Sequence, residues 1–317
     1  MSPGAARGRL EWRDVDGIVL LDKPLGLSSN EALQRVRRLY RARKAGHTGS
    51  LDPLATGMLP LCLGQATKVA GLLLEADKTY RATLALGSRT ATGDLEGAVI
   101  EQAPVPVLSR ELIERALATL TGEREQVPPM YSALKRDGEP LYKLARRGET
   151  IERAPRRVRI TRLELTDYDR EHIGFEVDCS KGTYIRALGE ELAQALHSCG
   201  HLSQLRRLSV GGFAGRALAT LAELESLAGR EPELDARLLA IDGALGHLPA
   251  VTLDAAAADA LLSGQAVAAD GGASGRVRLY DATRGFLGIG ERDAEAGRVV
   301  PVRLMAARAN AVTSPAI

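Results

Sequence analysis

A chain of 317 residues, 45% hydrophobic and 26% charged, can bury a large core, and its length favours two domains over one. Its 42 Lys and Arg against 40 Asp and Glu leave a net charge of +2, so no whole-molecule field announces a polyanionic partner. Cys62, Cys179 and Cys199 form no C-x-x-C pair, which argues against a disulfide framework, and no apolar run suits a signal peptide or a bilayer.

A cytoplasmic location is the expectation that follows. Residues 1–14 are expected to form a disordered leader. Residues 17–22 (Gly-Ile-Val-Leu-Leu-Asp) predict a short buried strand, ended by Lys23-Pro24-Leu25-Gly26. Ser28 with Glu31 three residues later makes a capping box. It opens a helix with Leu33, Val36 and Leu39 inward and its arginines on the other face. A glycine-crowded loop follows at 46–57 (Gly-His-Thr-Gly-Ser-Leu-Asp-Pro-Leu-Ala-Thr-Gly). Pro53 pushes Asp52 toward extended geometry and suits the first position of a helix. Asp52 is therefore expected at the lip of the loop, opening a helical turn and an apolar stretch to about Glu75. On Asp-Pro alone, its carboxylate reads as a helix cap.

Residues 78–86 alternate as a strand should, with Tyr80, Ala82, Leu84 and Leu86 on one face. Residues 88–97 read as a polar loop, 109–120 as an amphipathic helix capped by Ser109, 128–133 as extended and 141–147 as helical. Residues 157–165 and 173–179 predict strands. A helix is expected from about Thr183 to Ser198, with Gly200 as its stop. Helices and strands mix without a repeating βα rhythm, which points to an α+β fold. Residues 220–246 are acidic and helical and close a first domain over 15–246. The tail, 247–317, has short strands around Val277, Phe286 and Val299 set off by Gly and Asp turns from Asp270 onward. It predicts a small β-barrel-like module.

Arg35, Arg37, Arg38, Arg41, Arg43 and Lys44 crowd the segment before the glycine loop. Arg146, Arg147, Arg153, Arg156, Arg157, Arg159 and Arg162 crowd another. Such clusters are usually solvated faces, but two beside candidate chemistry make a phosphate-binding footprint. His197, Cys199 and His201 resemble a metal cluster only superficially, since Cys199 would point away from both histidines on a helix. No metal is expected.

The dodecamer around Asp52 resembles the catalytic loop of the TruB family, the tRNA pseudouridine-55 synthases. The likeness extends through 17–29 with Lys23, Lys78-Thr79-Tyr80, Thr90-Ala91-Thr92-Gly93-Asp94, 128–135, 141–148 and 179–186 (Cys-Ser-Lys-Gly-Thr-Tyr-Ile-Arg). It ends with Leu205-Arg206-Arg207-Leu208 before Gly211-Gly212-Phe213. The tail from about Leu248 resembles a PUA domain, an RNA-binding module. The resemblance implies a pseudouridine synthase-like fold, with a mixed, largely antiparallel central sheet and flanking helices. It also implies an activity, the isomerisation of uridine 55 in the tRNA T loop to pseudouridine.

That reaction breaks the N1–C1′ bond, turns the uracil and joins C5 to C1′, with no need of redox change, metal or other cofactor. A carboxylate nucleophile can hold one fragment covalently and split a hard step in two. By resemblance Asp52 is that nucleophile, and Arg186 keeps it ionised in a dry pocket. By the same resemblance Tyr80 stacks on the flipped base and is a candidate late proton acceptor. His47 wedges into the space the base vacates, Tyr184 positions Asp52 or Tyr80, Lys23 belongs to the substrate-binding set, and Leu205 walls the pocket. A monomer acting on the tRNA T stem-loop without a required protein partner is expected. The alternatives are a synthase directed by a guide RNA and a tRNA-folding chaperone without catalysis.

Overall fold

The computed structural model describes residues 11–269 and 271–305. The first half of the chain runs β1 (Gly17–Lys23), α1 (Ser29–Leu39), β2 (Ala45–His47), β3 (Ala55–Leu63), α2 (Ala70–Glu75) and β4 (Lys78–Leu86). A hairpin of β5 (Ser88–Thr90) and β6 (Val99–Gln102) precedes α3 (Arg110–Leu120) and β7 (Gly122–Gln126). The small hairpin β8 (Lys135–Arg136) and β9 (Glu139–Pro140) leads into α4 (Leu141–Arg146). Then come β10 (Arg156–Tyr168), β11 (His172–Cys179), α5 (Ile185–Ala195), β12 (Gly200–Val210), β13 (Ala219–Thr220), α6 (Leu221–Ser226) and α7 (Glu231–Asp235).

These strands form one sheet in the order β13-β1-β3-β12-β4-β11-β10-β7, with β2 added on β3. Only β1 with β13 and β3 with β12 pair in parallel; the other neighbours are antiparallel. The expected α+β sheet, mixed and largely antiparallel, is therefore present. Both faces are covered, which is why β1 reads as an unbroken apolar run. Val19 and Leu21 face α1, α3, α5 and α6 with Leu33, Val36, Leu117 and Leu188. Ile18 and Leu20 face Val69, Leu73 and Phe213 on the other side.

The tail forms a second sheet from β14 (Ala250–Leu253), β15 (Val267–Ala268), β16 (Gly275–Asp281), β17 (Gly285–Asp293) and β18 (Arg298–Leu304), with α8 (Ala255–Leu262) packed on it. Its strand order is β14-β16-β17-β18-β15. The tail does not stand apart, because Ile289 and Met305 are buried in the cluster around Ile18, Leu20 and Phe213. The Tyr280 hydroxyl also donates to Asp242 at 2.8 Å, and the Lys68 ammonium to the Leu304 carbonyl at 2.6 Å.

Several local expectations change. No helical turn follows Asp52. Pro53 and Leu54 form a tight turn, closed by the Ala55 N–H on the Asp52 carbonyl at 3.0 Å, and the chain enters β3 at once. The apolar residues of β3 gain seven paired positions against β1, which outweighs the helix-opening preference of Pro53. The polar loop at 88–97 begins in strand geometry, since β5 pairs with β6. The helix before Gly200 stops at Ala195, and His197 takes the left-handed turn with φ 58°, leaving Gly200 to open β12. Of the expected leader, residues 1–10 lie outside the described residues, as do Asp270 and the tail's 306–317. Residues 11–14 are engaged: Arg13 pairs with Glu231 and Asp235, and Arg37 stacks over Trp12 at 4.6 Å.

Candidate active site

The Asp52 loop is fixed on both flanks. Ser29 Oγ donates to the Leu51 carbonyl at 3.0 Å and accepts from the Leu51 N–H at 2.7 Å. The Pro53 carbonyl accepts from the Gly26 N–H at 2.9 Å and from the Lys23 ammonium at 3.4 Å. These anchors hold the residues on both sides of Asp52. Its carboxylate meets Arg186 Nε at 3.0 Å, with 41% of the aspartate side chain exposed and only 5% of the arginine.

Arg186 is held as completely as the loop. It sits in the first turn of α5, where its Nη1 donates to the Thr92 carbonyl and its Nη2 to the Tyr131 carbonyl at 2.6 Å. Buried Asp94 lies 3.7 Å from its Nε. All three guanidinium nitrogens are thus occupied, and Nε alone meets a carboxylate oxygen of Asp52. Crowding by the protein raises the Asp52 pKa. The Arg186 charge opposes that rise, Asp94 adds to it and Lys23 opposes it. Water still reaches the carboxylate, which limits the desolvation cost.

Asp52, Leu54, Ala55, Asp94, Arg186, Leu202 and Leu205 line a narrow cleft. It opens where β3 and β12 run side by side in parallel, Ala55 opposite Leu205 and Gly57 opposite Arg207. Gly57 has φ 96°, and a Cβ there would come within 2.2 Å of the Arg207 carbonyl oxygen. Only glycine lets the two strands meet at this point. The arrangement presents an anchored, solvent-reachable carboxylate, a buried cation and apolar walls. It offers no cluster of three His, Cys, Asp or Glu side chains for a metal among the described residues. His201 Nδ1 instead meets the Ser88 carbonyl at 2.7 Å, and Cys199 is a buried free thiol.

The chain is similar to known proteins over nearly its whole length. A model of the TruB family pseudouridylate synthase N-terminal domain matches residues 37–185, and one of the pseudouridine synthase II TruB C-terminal domain matches 249–305. The tRNA pseudouridine synthase B of Aromatoleum aromaticum is 53% identical over 307 residues, covering 96% of this chain and 98% of that protein. The chain belongs to the TruB family. The protein of the same name from Nitrosococcus oceani is 50% identical, covering 94% of this chain and 97% of its own. A crystal structure of a Cbf5-Nop10-Gar1 complex superposes with TM-score 0.68 at 26% identity, over 88% of this chain and 78% of that one. An H/ACA RNP bound to a substrate RNA, at 23% identity and TM-score 0.69, shares the fold.

The TruB motifs converge from distant parts of the chain. Asp52, Arg186 and Leu205 line the cleft together. Tyr80 lies on β4, buried, paired in register with Arg207 of β12. Burial raises its phenol pKa, and the Arg207 charge opposes that rise. Tyr184 precedes α5, its backbone clasped by Gln126: the amide donates to the Tyr184 carbonyl at 3.1 Å and accepts from the Tyr184 N–H at 2.7 Å. His47 ends β2, half-buried, with no partner on Nδ1. Lys23 is fully buried, donating to the Pro24 and Leu27 carbonyls at 2.9 and 2.6 Å, and burial lowers its pKa to about 8. It lies under the loop rather than on the cleft wall.

Asp94 and Arg207 were not singled out from the sequence. Both sit in quoted motifs, and Arg207 is two residues from Leu205, the same-face spacing of a strand. Of the basic clusters, Arg41 pairs with Glu231, Arg147 with Glu139 and Glu149, and Arg162 with Asp178 and Glu164. Arg35, Arg38, Lys44, Arg156 and Arg157 make no ion pair among the described residues.

Proposed function

We propose that this protein isomerises uridine 55 in the T loop of tRNA to pseudouridine, with Asp52 as the covalent nucleophile. The observation that carries the reading is the Asp52–Arg186 pair at 3.0 Å, one partner reachable from solvent and the other sealed behind it. The relatives' shared name, tRNA pseudouridine synthase B, supplies the substrate class. A base stacked inside a folded loop must leave its stack before a side chain can reach it, at a cost of a few kcal/mol. Leu205 and Leu54 then offer apolar walls to the extruded uracil, and Asp52 holds one fragment after the N1–C1′ bond breaks. The uracil turns and C5 joins C1′. The proton leaves C5 and N1 gains one, so the reaction is balanced without an external oxidant or reductant. Tyr80 takes the C5 proton late in the sequence, and Tyr184 braces the start of α5 beside Arg186.

Lys23 acts by fixing the loop, His47 enters the space the base leaves, and the unpaired arginines of the two basic clusters meet phosphates. The enzyme works in the cytoplasm as a monomer, without a guide RNA or protein partner. Purified protein incubated with pre-folded, unmodified tRNA and a chelator should convert one T-loop uridine. Dependence on a second RNA, or an absence of pseudouridine, would reject this reading.

A further inference from the structure

We propose that Arg207 is a positioning residue for the isomerisation, bracing the nucleophile loop and the Tyr80 side chain against one another. The inference rests on the isomerase reading above. Arg207 is 1% exposed and has no carboxylate partner among the described residues. Burying a guanidinium without a counter-charge is expensive, and a hydrophobic side chain of similar volume is often at least as stable. What the guanidinium does instead is bind carbonyls on two elements that the site must hold in register. Its Nε donates to the Met58 carbonyl of β3 at 2.7 Å, and its Nη2 to the Gly49 carbonyl of the nucleophile loop at 3.1 Å.

Its own strand supplies the third tie. Arg207 pairs across β12 and β4 with Tyr80, and a register shift falls immediately after it, between Arg207 and Ser209. Bulges of this kind re-aim side chains next to active sites. The same cation acts on the Tyr80 hydroxyl and on His47, and lowers the Lys78 pKa alongside burial. One buried charge thus touches the loop that carries Asp52 and sits opposite Tyr80 across the two strands. Arg186, held by the Thr92 and Tyr131 carbonyls, makes neither of these hydrogen bonds.

Single-turnover conversion and tRNA affinity separate this role from a merely structural one. Arg207→Met should bind tRNA within about 3-fold of the wild type while its rate falls about 100-fold, the scale of losing one fixed donor in an active site. Arg207→Lys should recover about 10-fold of that loss. Should Arg207→Met fail to fold, Arg207→Lys is measured in the wild-type and Tyr80→Phe backgrounds. Its rate loss should shrink when the tyrosine hydroxyl is absent. Equal losses in both backgrounds, or a folded Arg207→Met with wild-type rate, would overturn the inference. Wild-type protein that leaves uridine unconverted would instead remove the isomerase reading beneath it.

Discussion

Asp52 and Arg186 differ sharply in exposure, and the difference decides what each contributes. Removing one partner of a buried pair strands the other charge at a cost of about 3–5 kcal/mol. Here the sealed partner is Arg186, and it keeps Asp94 at 3.7 Å and the Thr92 and Tyr131 carbonyls when Asp52 changes. The aspartate can therefore be altered without leaving a bare buried cation. His47 shows the opposite economy. Burial first, then the Arg207 cation, lowers its pKa, so the ring is neutral at pH 7. Because the folded value lies below the unfolded one of about 6.5, His47's contribution to stability is present above that pH. It is lost as the pH falls toward and through the folded value. A proton NMR titration should place the His47 ring below about 6.5, and a midpoint at or above it would refute this description of its surroundings.

At the scale of elements, legibility followed the regularity of the pattern. Ser28 and Glu31 gave the start of α1, and the formed capping box confirms it. The two-residue period of 78–86 placed Tyr80 on the buried face of β4, where it lies. Strand β3 is hard to read because its nine residues, mostly apolar and buried, have no period that separates strand from helix, and Pro53 favours a helix start. Only its pairing with β1 and β12 decides the matter, and neither neighbour is local. Strand β12 hid Arg207 for a different reason. Register shifts between Leu202 and Gln204 and between Arg207 and Ser209 cut its alternation to a short stretch, so only the spacing from Leu205 marks the inward arginine. The close approach of β3 to β12 was likewise encoded in one glycine, Gly57, whose φ of 96° the sequence alone does not reveal. Asp52 and Arg186 were legible through the motifs around them, but their contact is a product of the fold.

For the whole molecule, the shared core joins the tail to the catalytic sheet. The sequence reads the tail, 247–317, as a small module of its own. Ile289 and Met305 instead complete the cluster on the Ile18 face, with Phe286 and Val302 packed at its edge. A buried side chain of this size contributes about 1.5–3 kcal/mol, and total stability is only about 5–15 kcal/mol. Truncation after Gly246 should lower Tm by about 10 °C as well as weaken tRNA binding. A truncated protein melting with the full chain would show that the tail is separable after all. The central claim, that Asp52 forms the covalent bond, is tested most directly by single-turnover conversion of folded tRNA with Asp52→Asn. The account predicts unchanged Tm and tRNA affinity with a rate lower by about 10⁴. Near-normal turnover would contradict it, since asparagine preserves the shape and the turn at this position but removes the nucleophile.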